Sequence, residues 1–260
     1  MESMLKRDRL IVLAALAATT LFAWVDMAHE AHSMNLGRAA CCAGMSMSGP
    51  DTNPWSPVTL APLFLMWAEM MVAMMLPSAT PMILTFAKVQ RNRREQQRPF
   101  VATGIFVLGY LAVWTAFSAG AAVLQWALHA KALLSPKMAS TSPLLGALLL
   151  VAAGIFQWTP IKNACLSSCC SPFNFLTVAW REKKSGAFLM GLNHGIKCAG
   201  CCWFLMLLLF VAGVMNLWWI ALLTLLVLIE KIAPRGLFIG KIAGILFVVW
   251  GIWLVAGSRG

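Results

Sequence analysis

Apolar runs of about 20 residues recur along the whole chain and limit what it can fold into. A run of this length crosses the roughly 30 Å hydrocarbon layer of a bilayer as one α-helix. Of the 260 residues, 60% are hydrophobic and 11% are charged. We therefore predict an all-α polytopic transmembrane helix bundle of about seven spans, with a cytoplasmic N-terminus. The predicted spans are residues 10–25, 60–89, 101–128, 143–159, 186–216, 217–229 and 237–255.

The net charge of +11 comes mainly from basic residues in short connectors between the apolar runs. Such connectors lie on the cytoplasmic side of membrane proteins, which places residues 88–98 and 162–184 inside. The distribution argues against a nucleic-acid partner and makes a lipid bilayer the expected surroundings. The first span is either a retained helix or a signal peptide. No clean small-x-small cleavage site follows it, which favours a retained helix.

Methionines repeat at helical spacing in the second predicted span. Met66, Met70 and Met74 are four residues apart, so their thioethers share one helix face, and Met71 with Met75 forms a parallel row. Such a row serves either for packing or for binding a soft metal. Glu69 lies in the same apolar run, where a carboxylate is costly and points to function. It is either protonated or neutralised by Lys197.

The fifth predicted span contains the most unusual stretch, residues 190–203. His194, Cys198, Cys201 and Cys202 fall on one side of a helix there. Thiolate, imidazole and thioether together favour Cu(I), and zinc remains possible through Cys and His. The alternative is that the cysteines are ordinary small buried groups. If the methionine row supplies the missing ligands, the second and fifth spans must touch, with Met70 or Met74 near Cys198.

Two further groups of soft ligands flank this stretch. Cys165 and Cys169 are four residues apart in the second cytoplasmic connector, where they serve either as a metal relay or as plain buried cysteines. Residues 26–57 form a predicted external loop that is either a metal-collecting or an ordinary flexible segment. Its soft ligands are Met27, His29, His32, Met34, Cys41, Cys42, Met45 and Met47. We thus predict two regions: residues 1–59, the first helix and this loop, and residues 60–260, a six-helix transmembrane metal-binding domain.

Two smaller assignments follow from position in the sequence. Glu230 and Lys231 are adjacent at the end of an apolar run and are predicted to neutralise each other. His129 comes just after the third span and is predicted to be a solvated loop histidine.

Three motifs resemble those of a bacterial membrane protein family called domain of unknown function 2182. They are Met66-Trp-x2-Met-Met-x2-Met-Met-x-Pro77, Thr159-Pro-x-Lys-x2-Cys-Leu-x2-Cys169 and Gly191-x2-His-Gly-x2-Cys-x-Gly-Cys-Cys-Trp-x2-Met206, with Glu230-Lys231. The resemblance covers roughly residues 60 to 255 and implies a predicted metal-binding membrane protein. Cys170 stands where the family pattern has a basic residue.

The predicted function is the binding of copper, as Cu(I), for transport or for delivery to a metal-accepting membrane or periplasmic protein. No nucleotide motif is present, so any transport would be driven by the gradient or by the acceptor. An enzymatic role is not favoured, and the resemblance to a bacterial family implies the bacterial inner membrane as the location. The alternative is a membrane thiol-disulfide oxidoreductase that uses Cys198 and Cys201 as its redox pair.

Overall fold

The computed structural model describes residues 2–42, 60–97, 100–131, 143–171, 176, 180–181, 183–233 and 235–257. These residues form helices and include no strand, so the all-α prediction is confirmed for them. The helices are α1 (Glu2–Cys42), α2 (Leu60–Glu95), α3 (Thr103–Ala130), α4 (Pro143–Phe156), α5 (Pro160–Cys170), α6 (Lys183–Leu207), α7 (Leu209–Ala212), α8 (Leu217–Ile232) and α9 (Gly236–Gly257).

Five helical stretches in the described part of the chain are long and apolar enough to cross a membrane. They are residues 9–33 of α1, α2, α3, the run of α6 with α7, and α9. A sixth is obtained if α4 and α5, which meet at 64°, count as one broken span. The predicted count of about seven is not confirmed. The remaining predicted span, residues 217–229, corresponds to α8, whose 16 residues extend about 24 Å, short of the roughly 30 Å that a span needs.

The first helix is longer than predicted. α1 continues to Cys42, so residues 26–42 are helical where a loop was predicted. Met45 and Met47 lie outside the described residues. His129 also differs from its prediction, because it is buried in the last turn of α3.

The fourth predicted span ends close to the point where the chain turns. α4 ends at Phe156, and the Thr159 hydroxyl then accepts a hydrogen bond from the Lys162 backbone N–H at the start of α5. Pro160 occupies the first turn of α5, where its missing N–H costs nothing. Residues 160–170, most of which were predicted to be a connector, therefore form a further helix that packs on α6.

Close packing of α3 on α6 sets the centre of the bundle. A β-carbon at Gly191 would collide with the carbonyl oxygen of Phe106, and one at Gly109 would collide with that of Phe188. Glycines on both helices thus allow their backbones to touch, as small residues do between membrane helices. Helix α2 packs on α3, α1 and α8. It stays continuous through Pro77 and Pro81.

Candidate metal-binding site

The polar face of α6 points into the bundle. His194, Cys198, Cys201 and Cys202 are each at most 3% exposed. The helix is uninterrupted from Lys183 to Leu207, so regular turns carry all four side chains. The thiols of Cys201 and Cys202 each donate to the Cys198 carbonyl oxygen at 3.0 Å. Their sulfur atoms therefore gather beside that of Cys198.

A methionine of α2 reaches this group of thiols. The sulfur atoms of Cys202 and Met75 are 3.9 Å apart. The two helices predicted to share a site therefore do meet, and the methionine at the contact belongs to the Met71/Met75 row. Met66, Met70 and Met74 are buried in the same apolar core.

Two side chains from two other helices contact the Cys198 sulfur. The Lys231 ammonium lies 2.9 Å from it and also donates to the Ser78 hydroxyl at 2.9 Å. The Tyr110 hydroxyl is 3.1 Å from the same sulfur and bonds the Met75 carbonyl oxygen at 3.0 Å. An ammonium beside a thiol favours the thiolate, the form that binds metals.

Helix α5 brings the second group of cysteines to the same place. Cys169 lies close enough to Cys201 for their thiols to hydrogen-bond. The Cys165 sulfur would be 3.0 Å from a β-carbon at Gly200 on α6. The two groups of cysteines thus face each other across α5 and α6. Cys170 points elsewhere, with its thiol 3.4 Å from the Lys231 carbonyl oxygen.

The arrangement suits a soft ion. In the described residues, no three His, Cys, Asp or Glu side chains are placed to hold one ion by themselves. What they offer instead is a buried set of sulfur atoms: Cys198, Cys201, Cys202, Cys169 and Met75. Thiolate and thioether donors select Cu(I) over hard cations that require oxygen ligands.

Residues 64–254, about three quarters of the chain, match the model of a family described as copper chaperone, PpoB2. The chain belongs to this copper chaperone family. No curated protein and no solved structure gives a significant match. The prediction that the chain belongs to a metal-related family is confirmed, although the matching family has a different name. The match supports copper, gives no support to zinc, and does not favour the thiol-disulfide alternative.

The structure also contains a buried ion pair between residues far apart in the sequence, which the sequence analysis did not predict. Glu230 was predicted to pair with Lys231, and this is wrong. Its carboxylate oxygens instead accept from the Lys162 ammonium at 2.9 and 2.7 Å. Both side chains are about 2% exposed, and Lys162 also bonds the Gln157 side-chain oxygen. This pair fixes the first turn of α5 against α8, which frees Lys231 for Cys198.

His194 is held by aromatic rings. Its imidazole stacks against Phe106, with ring centroids 6.1 Å apart, and against Tyr110 at 5.6 Å. These contacts orient the ring in the apolar interior, one helical turn before Cys198. Tyr110 thus contacts both predicted ligands, although sequence reasoning assigned it no role.

Glu69 lies next to acidic side chains of α1. Its carboxyl group hydrogen-bonds that of Asp26 on α1, with Glu30 also nearby. A hydrogen bond between two carboxyl groups requires that one carries the proton. The proton lies on either Glu69 or Asp26, and the carboxyl groups close to Glu69 come from α1.

Proposed function

We propose that this chain is an integral protein of the bacterial inner membrane that holds Cu(I) among buried sulfur atoms and delivers it to an acceptor protein. The acceptor is a membrane or periplasmic protein that needs copper. The long apolar helices support a location in a membrane, and the copper chaperone family supports copper as the bound ion. The bundle itself supports the way the ion is held.

The contact between Cys202 and Met75 carries the proposal. It joins α6 to α2 with two sulfur atoms 3.9 Å apart, and Cys198 and Cys201 are one turn away or less. Cu(I) bound between these sulfur atoms would be shielded from water, because Met75, Cys198, Cys201 and Cys202 are all at most 1% exposed. Burial of a cation is tolerable only with an opposite charge beside it, and a thiolate of this group supplies that charge.

Lys231 gives the site a way to exchange one cation for another. Its ammonium contacts the Cys198 sulfur through one of two hydrogen bonds, the other being to Ser78. Cu(I) would take the place of the ammonium at the sulfur, and Lys231 would stay bonded to Ser78. The thiolate then pairs with Cu(I) in place of the ammonium, so neither state leaves it as a bare buried anion.

Methionines supply a path to and from this position. Buried thioethers run along α2 from Met66 to Met82, about 24 Å for 16 residues at about 1.5 Å per residue. Glu69 lies beside the start of this row, and the thiols of Cys165 and Cys169 on α5 face the cysteines of α6. Exchange between neighbouring sulfur atoms keeps each binding step shallow, as passage requires. His194 contributes an imidazole one helical turn before Cys198.

Metal analysis of purified protein tests the proposal. The protein is loaded with excess Cu(I), freed of unbound ion, and compared with Cys198→Ser, Cys202→Ser and the control Cys170→Ser, whose thiol faces away from the site. We expect bound copper in the wild type and the control, with strong loss in the other two. X-ray absorption should show sulfur ligands.

Two results would contradict the proposal. If the wild-type protein retains no copper, copper is not the ion that it binds. If all four proteins retain equal copper, Cys198 and Cys202 are not its ligands. A disulfide between Cys198 and Cys201 trapped in cells would instead restore the oxidoreductase alternative.

A further inference from the structure

A groove runs along α6 on the side of Trp180 and Arg181. Its volume is about 670 Å³, within the range of small-molecule sites. The polar lining comes from Trp180, Arg181, Asn193 and Lys197, and Met190 lies among them. Leu189 and Ile196, which are exposed, line it as well.

The described lining of this groove is rich in hydrogen-bond donors and contains no carboxylate. Arg181 and Lys197 each bring a positive charge, and Asn193 brings an amide N–H2. The indole N–H of Trp180 is buried and has no hydrogen-bond partner among the described residues. The Arg93 guanidinium lies over the Trp180 ring at 5.0 Å. Such a lining suits an anion, above all one with carboxylate groups.

Met190 connects this groove to the sulfur site. It lines the groove although it is only 1% exposed, and it lies one helical turn before His194. Side chains four residues apart on a helix are about 5–6 Å apart at Cβ. A soft ion released in the groove therefore meets a thioether first and an imidazole next.

Cu(I) reaches a protein bound to a soft donor, and small thiols with carboxylates are anionic donors of this kind. We propose that the groove docks an anionic, carboxylate-bearing small thiol that carries Cu(I), and that Met190 accepts the ion from it. The Cu–S bond to the carrier breaks as the bond to the Met190 sulfur forms. The carrier leaves as its thiolate, and copper remains Cu(I). This inference rests on the proposed function.

Loading rates from two matched carriers test it. The full-length protein in phosphatidylcholine nanodiscs is mixed with Cu(I) bound to glutathione or to glutathione diethyl ester. These carriers share one sulfur donor and differ in carboxylate charge. We expect faster loading from glutathione in the wild type, by about ten-fold, because opposite charges accelerate encounter. Arg181→Gln and Lys197→Gln should lose this preference, while Lys197→Arg and the exposed control Lys184→Gln should keep it.

The outcomes separate this inference from the proposed function. Protein that binds Cu(I) but loads equally from both carriers overturns the inference alone. Slowing of both carriers to the same extent by Arg181→Gln and Lys197→Gln overturns it as well. A second arm adds anionic phosphatidylglycerol, and we expect the preference to persist. If the preference for glutathione is lost in the presence of phosphatidylglycerol, the groove binds lipid headgroups and the proposal is overturned.

Discussion

The side-chain nitrogen of Lys231 lies 2.9 Å from the sulfur of Cys198. One residue comes from α8 and the other from α6, so the contact exists only in the folded bundle. It places an ammonium group beside the thiol at which we propose that Cu(I) binds. Neighbouring Glu230 is engaged by Lys162, which leaves the Lys231 ammonium to Cys198 and Ser78.

Replacing Lys231 with leucine should weaken Cu(I) binding by about ten-fold, or about 1.4 kcal/mol, because the thiolate loses the cation that favours it. Competition with a coloured Cu(I) chelator measures the affinity. Lys88→Leu, at an exposed position of α2, is the matched control and should have no effect. Tighter binding by Lys231→Leu would show instead that the ammonium only competes with the metal.

Met75→Leu should keep the fold and lose a sulfur ligand. Leucine nearly matches methionine in volume, so the core cost is below about 1.5 kcal/mol. X-ray absorption of the copper-loaded protein should show one sulfur neighbour fewer. Met82→Leu, equally buried on the same helix, should leave the spectrum unchanged. An unaltered spectrum for Met75→Leu would place the ion away from the contact with Cys202.

Glu230→Gln should destabilise the protein by about 3 kcal/mol or more, because it leaves the buried Lys162 ammonium without its anion. A lower midpoint of thermal unfolding in detergent would report this. The control is Glu95→Gln, which removes a partly exposed pair with Arg91 and should change little. Equal midpoints for the two variants would mean that the Lys162 pair does not hold α5 in place.

Gly191→Ala should separate α3 from α6, since the new methyl group meets the Phe106 carbonyl oxygen. The movement withdraws Tyr110 from Cys198, so both folded yield and bound copper should fall. Gly104→Ala on α3 is the matched control, because nothing lies within 4 Å of its added carbon. Normal yield and copper in Gly191→Ala would show that the close approach of these helices is dispensable.

Helix formation and the inward face of α6 were predictable because both follow from spacing along one helix. His194, Cys198 and Cys202 repeat at four-residue intervals, and that period requires a shared face. The end of the fourth span near Thr159 was predicted, but the helix that follows it was missed, because the basic residues of 162–184 favoured a connector. The helical extent of residues 26–42 was also missed, since polar and small residues there favoured a loop.

Sequence by itself determined the helical class, the soft-ligand chemistry of α2, α5 and α6, and the metal-related family. Each of these depends on residue type and on distances of a few residues. Only the tertiary structure decided that Met75 contacts Cys202, that Lys231 faces Cys198 and that Glu230 pairs with Lys162. These partners are 127, 33 and 68 residues apart. Their meeting depends on how helices pack and turn at Gly191 and Thr159, which no local pattern specifies.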